Sequence, residues 1–427
     1  MYQTKIALRS LIYRKNQYVS LFLVAMFGIA ISLAAISVST GMIKSMNQKA
    51  KIYYGGDFAM MCATDDGLAI FDYEKNLEII KSTLPKDAVV SPRMDLLAKD
   101  TAFYFEGVQA LQRTIKGIDF KKERELISSF YLVEGDFDIP SNSNGLLISL
   151  PIAKMLNVHA GDEIIFQIKT VDNILNTVPV IVKGIFQDSS VFGTYTSYMD
   201  FNFLKKAYGR PENFANRICV NFPNRKITEK QLYEFYNLLK NKLNMYDWVE
   251  DKDDYIDASD YFTQETWGLI PLSANLNDVE IMELAMDAVI TFIVVILTII
   301  VVAGIGSTYR VLIMKRITEI GIYMAIGMKK RAITCTLLFE SLILLIAGCI
   351  GGIILTGAFC SIISIFDFSF IPSFDMFLEK GNLSPSLDVI KSVAVLASVI
   401  IVTLLAVLYS TLKSIKIMPV QALAVTE

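Results

Sequence analysis

Residues 315–335 read KRITEIGIYMAIGMKKRAITC, a charged, glycine-punctuated stretch between two long apolar runs. Ile313, Ile317, Ile320, Met324 and Met328 recur at helical spacing and give one apolar stripe, with Arg316, Glu319, Tyr323 and Lys330 as the polar remainder. Gly321 permits close backbone approach, and Gly327 is placed to stop the helix. A helix of this kind either lies in a membrane interface or docks into a groove on a partner, and the pattern alone leaves both readings open.

The flanking runs decide the fold class. A hydrocarbon core takes about 20 helical residues to cross, and four stretches meet that length: 18–42, 286–309, 332–362 and 389–412. With 53% hydrophobic residues over 427 positions, the chain reads as an integral membrane protein with four transmembrane helices. The first run exceeds the ~7–15 apolar residues of a signal peptide and reads as an anchor. The 40 basic and 43 acidic residues nearly balance, but their placement is informative, and no basic tract suggests nucleic acid. Lys5, Arg9, Arg14 and Lys15 precede the first run, Arg310 to Arg331 supply six basic residues between the second and third, and Lys413 and Lys416 follow the fourth. The positive-inside rule makes these segments, and both termini, cytoplasmic. The connection after the third run carries Asp367, Asp375, Glu379 and Asp388 against Lys380, as an outer loop would.

Residues 43–282 then fall outside the cytoplasm, and they are too many for a loop. The early runs DFAMMCAT, YEKNLEIIKSTL and AVVSPRMDLLA alternate strand, helix and strand, and the late runs NRICVNF, TEKQLYEFYNLLKNKL and YDWVE repeat that order. Thr228 and Gln231 make a capping box for the late helix, with Ile227 and Leu232 as its staple. Between these βαβ halves, residues 100–214 are richer in strands, among them TAFYFEGVQAL, GLLIS, DEIIFQIKT and VPVIVKGIF, and read as an inserted β-rich subdomain. The expected architecture is therefore four helices plus a large α+β extracytoplasmic domain between helices 1 and 2.

No catalytic constellation appears. His159, the single histidine, lies in the turn-like NVHAGD and reads as a surface residue. Cys62 and Cys219 occupy the first strand of each half and are candidates for a disulfide, whereas Cys335, Cys349 and Cys360 belong to the third run. Glu340 stands two to three turns into that run, where it either faces the bundle or snorkels to the interface. Ala347, Gly348, Gly351 and Gly352 allow close helix contact, within one subunit or between two.

On this layout EIGIYMAIGMKKRAITCTLLFES, residues 319–341, resembles the signature region of MacB/FtsX-type permeases of ABC transporters, approximately REIGILKALG followed by a helix bearing a glutamate. ALRSLIYRKNQYVSLFLVAMFGIAIS resembles the family's entry helix and first span. VEGDF, LISLPIAKMLNVHAGDEI and VKGIFQD resemble its outer domain, and KSIKIMPVQAL its tail. The resemblance implies an N-terminal amphipathic helix and first span in 1–42, a MacB-like porter domain in 43–282 and an FtsX-like permease domain in 283–427. It makes Glu319, Ile320, Gly321, Ile322, Met324 and Gly327 the ATPase-coupling residues. It also implies a permease dimer, homo- or heteromeric, working with a dimer of ABC ATPases. No G-x-x-x-x-G-K-[ST] loop occurs and Gly327 is followed by Met328, so ATP and magnesium are expected on a separate ATPase, with no cofactor and no enzymatic activity in this chain. The expected role is lipoprotein release or export from a cell (inner) membrane, with membrane lipid and a periplasmic carrier or adaptor as further partners. MacB-like efflux of drugs, toxins or peptides, and FtsX-like activation of a cell-wall hydrolase, are the competing readings.

Overall fold

The computed structural model describes residues 13, 15–65, 67–371 and 373–414. The entry segment ahead of the first span and the C-terminal tail lie almost wholly outside the described residues. The chain divides into two units.

The first unit comprises Met1–Met42, Leu284–Phe366 and Ser384–Glu427. Among the described residues, four helices are long and apolar enough to cross a membrane: Lys15–Tyr54, Asn277–Lys315, Lys330–Ile363 and Val389–Ser414. Over its most apolar stretch the first is 44% buried and the third 33%, against 17% for the second and fourth, so the first and third make the centre of the bundle. Tyr18, Leu21, Ala25, Ile29 and Leu33 form the buried stripe of the first helix, meeting Val301, Ile305 and Ile313 from the second and Leu337, Leu345 and Cys349 from the third.

The second unit comprises Ile43–Glu283 and Asp367–Leu383, so it takes in the segment that reads from sequence as a plain outer loop. Its strands are β1 (Phe58–Thr64), β2 (Gly67–Leu68), β3 (Val89–Phe105), β4 (Val108–Ile118), β5 (Tyr131–Gly135), β6 (Gly145–Ser149), β7 (Glu163–Lys169), β8 (Leu175–Gln187), β9 (Thr196–Asp200), β10 (Arg217–Asn221) and β11 (Thr266–Pro271). They join in the order β11-β1-β10-β3-β4-β9-β6-β8-β5, with β2 beside β1 and β7 beside β3 and β8. Helix Tyr73–Thr83 connects β1 to β3, and β10 sits between those strands. Helix Glu229–Lys240 lies on the path from β10 to β11, and β1 sits between those. Two split strand-helix-strand units are thus interleaved with every neighbour antiparallel.

The repeat expected from sequence is present, but its last strand is not YDWVE. Within that run and just before it, only an isolated bridge from Met245 to Trp267 forms, and the strand is Thr266–Pro271, past helix Lys252–Ser259. TAFYFEGVQAL is likewise not one strand. Glu106 and Gly107 take φ of 45° and 85° and fold it into a tight hairpin between β3 and β4. The capping box of helix Glu229–Lys240 forms as the sequence indicates, with Gln231 N–H donating to Thr228 Oγ1 and Thr228 N–H to Gln231 Oε1.

Alternation across β1 shows how this sheet is buried on both faces. Phe58, Met60 and Cys62 enter the main core with Ile80, Phe235 and Leu239, whereas Met61 and Ala63 pack on Val249, Tyr255 and Ile270.

Candidate functional site

The segment linking the second and third helices is built around a break at Arg316, whose φ of −104° and ψ of 12° end helix Asn277–Lys315 and start helix Ile317–Ala325. The break turns the Arg316 side chain inward. Its guanidinium donates from Nη1 to Glu340 Oε2 at 2.5 Å and to Tyr18 Oη at 2.9 Å, from Nη2 to Glu340 Oε1 at 3.3 Å, and from Nε to Glu319 Oε2 at 3.3 Å. Tyr18 Oη donates to Glu340 Oε2 at 2.8 Å. Glu340 is 0% exposed and Arg316 4%. The first helix, the break and the third helix therefore meet in one charge-assisted network, which the planar arginine fork suits. Nearby, Tyr309 of the second helix donates to the Leu337 carbonyl at 2.8 Å.

Of Glu340's two sequence readings, the structure takes the inward one. Arg316 requires a correction, since its place on the helical wheel put it with the polar, outward residues. A partner 24 positions away leaves no local signal, and only the fold could supply one.

The six coupling residues separate. Ile320 and Gly321 are buried within the unit, Met324 packs at the edge of its core, and Glu319 is half-buried beside Arg316. Ile322 is 47% exposed and Gly327 is exposed. The apolar stripe 313/317/320/324/328 therefore faces its own bundle and is not available to a partner. What faces outward is Ile322, Ala325 and Ile326, the last 78% exposed, followed by Lys329, Lys330 and Arg331. Ile326 carries no signal in the sequence pattern because it lies two positions from both Met324 and Met328, on the side of the helix opposite the stripe. Gly327, at φ 89°, closes the helix with Met328 N–H donating to Tyr323 O and Gly327 N–H to Met324 O, the paired bonds of a Schellman motif.

The small residues of the third helix serve contact within the chain. A Cβ on Gly348 would meet Ala25 Cβ at 2.8 Å, and one on Gly352 would meet Ile29 Cγ2 at 2.8 Å and the Met26 carbonyl at 3.1 Å. Thr356 Oγ1 donates to the Ala30 carbonyl at 3.1 Å across the same seam.

In the second unit, Cys62 and Cys219 lie on adjacent strands but both are free thiols. Cys219 pairs with Ala59, three residues from Cys62, and an odd offset sends the two side chains to opposite faces. The disulfide expected from sequence is therefore not formed. Burial pushes each thiol up to about 12. His159 is a surface residue with Nδ1 3.2 Å from Glu134 Oε2, and among the described residues no three His, Cys, Asp or Glu side chains cluster as metal ligands would.

Residues 291–419 match the FtsX-like permease C-terminal family. The match takes in Arg316, the connecting helix and Glu340, and it supports an ABC-type permease; permeases of that family are generally non-catalytic transporter subunits that partner with an ABC ATPase. No curated protein matches the chain.

Proposed function

We propose that this chain is the permease subunit of an ABC transporter devoted to lipoprotein release or export, and that the exposed end of its connecting helix receives motion from the ATPase. The observation that carries the reading is the apolar step Ile322/Ile326 presented beside Lys329, Lys330 and Arg331, within the segment that matches the FtsX-like permease domain. An exposed isoleucine pair one turn apart, rimmed by cations, suits a groove with an acidic edge. On this reading the segment and both termini are cytoplasmic, ATP and magnesium bind the partner ATPase, and a second permease completes the assembly. The Arg316–Glu340–Tyr18 network then carries displacement of the connecting helix to the first and third helices. A groove of about 770 Å3 between the first, second and fourth helices supports an amphiphilic cargo. It is lined by residues such as Ile36, Val294, Ile299 and Val402, with the Asp287–Lys391 ion pair at 2.7 Å on its wall.

The test is co-purification of the ATPase and cargo release with Ile322→Asp and Ile326→Asp. Both positions are exposed, so the subunit is expected to insert and fold while the ATPase dissociates or hydrolyses without release. Normal association and release in both variants overturns the assignment.

A further inference from the structure

In the second unit, the sheet face opposite the main core turns polar along β3. Alternation along β3 sends Val90, Met94 and Leu96 to the core and Ser91, Arg93 and Asp95 to this other face, which Arg217 of β10 and Lys116 of β4 share. Arg93 is fully buried and satisfied, with Nε donating to Glu123 at 2.9–3.0 Å and its remaining nitrogens to Glu123 and to the Ile52 carbonyl. A cavity of about 420 Å3 opens on this face, within the range of ligand pockets. Asp95, Lys116, Arg217 and Lys252 line it together with Tyr54 and Phe192.

Its charges do not balance. Lys116 Nζ donates to Asp95 Oδ2 at 2.8 Å, and Arg217 Nη1 approaches the same oxygen at 3.4 Å, so one carboxylate oxygen serves two cations that are 6% and 7% exposed. Among the described residues Lys252 makes no hydrogen bond or ion pair. Asp251 and Asp253, its sequence neighbours, do not line the cavity. Among the residues that line the cavity three cations face one carboxylate, while Asp253 and Asp251 draw on Lys252 from outside it. Burial lowers the pKa of both lysines and Arg217 lowers each further, against the pull of Asp95 on Lys116 and of Asp253, Asp95 and Asp251 on Lys252. Buried cations that share one carboxylate oxygen keep donors to spare, and an anion with bidentate oxygens engages them.

We infer that this cavity binds a compact anion, a phosphate or carboxylate group, beside the aromatic pair Tyr54 and Phe192. The site stands on the second unit alone and does not depend on the permease reading.

The experiment is calorimetric titration of the detergent-purified full chain at low salt with inorganic phosphate, with dihexanoyl phosphatidic acid, and with dihexanoyl phosphatidylcholine. A saturable site for the phosphate-bearing anions is expected. Lys252→Gln should weaken it about tenfold, the effect of losing one charged contact, and Lys252→Arg should restore it. Lys252 is half-buried at a helix start, so these variants keep the fold. Equal affinity for phosphate and phosphatidic acid would identify a free anion as the occupant, and tighter phosphatidic acid an amphiphile headgroup. Absence of saturable binding, affinity unchanged in Lys252→Gln, or phosphatidylcholine binding as tightly as phosphatidic acid, overturns the inference.

Discussion

Glu340 is held in the bundle interior by Arg316 and Tyr18, and the three side chains make sense only together. Burying either ion alone costs far more than burying the pair, and removing one partner of such a pair typically costs about 3–5 kcal/mol. Glu340→Gln keeps the shape but leaves buried Arg316 with only the half-buried Glu319 carboxylate as counter-charge, so it is expected to lower the thermal stability of the purified protein. The double change Arg316→Met with Glu340→Leu removes both charges and should recover most of the loss. A double-mutant cycle in detergent measures this, and single-site losses that simply add would show that the two residues are not coupled. Loss of transport without loss of stability in Glu340→Gln would instead place the residue in the moving machinery.

Among the elements, the seam between the first and third helices is set by what is missing from its side chains. Gly348 and Gly352 let the third helix approach Ala25 and Ile29 so closely that a methyl group has no room, whereas a Cβ on Gly357, further along the same helix, meets nothing within 4 Å. Gly352→Ala is therefore expected to cost about 1–3 kcal/mol through overpacking. Gly357→Ala should instead be neutral or stabilise by up to ~1 kcal/mol, since helical glycine is entropically expensive. Thermal unfolding of the two variants side by side checks this, and equal effects would refute the seam. The other end of the first helix is secured differently: Arg93 donates to the Ile52 carbonyl at 3.1 Å from both terminal nitrogens, satisfying a helix end that would otherwise leave carbonyls buried and bare.

Across the whole molecule the two units carry separate hydrophobic cores, and both tryptophans, Trp248 and Trp267, lie in the second. Tryptophan fluorescence therefore reports that unit alone. Cys62 and Cys219 stay neutral in the folded state to about 12, against an ordinary 9.0, so on raising the pH the unfolded chain loses these protons first. Their contribution is complete below about pH 8.5 and declines above it by up to ~1.4 kcal/mol per pH unit for each thiol. Urea midpoints should fall through that window, and Cys62→Ala with Cys219→Ala should flatten the fall; a midpoint insensitive to pH or to the substitutions would be inconsistent with it. Length and apolarity of four runs, the capping chemistry of Thr228 and Gln231 and the strand-helix periodicity of the second unit could all be read locally, because each depends on neighbours within a turn or a hairpin. The tertiary structure alone decided what depends on partners far apart in the chain. It turned Arg316 inward to meet Glu340, reversed the face that the 313–328 stripe presents, set Cys62 and Cys219 on opposite sides of one sheet through their register, and gathered Asp95, Lys116, Arg217 and Lys252 around one cavity. A helical wheel or a strand pattern specifies which residues share a face; which face is covered, and by what, is fixed only when distant elements compete for the same buried surface.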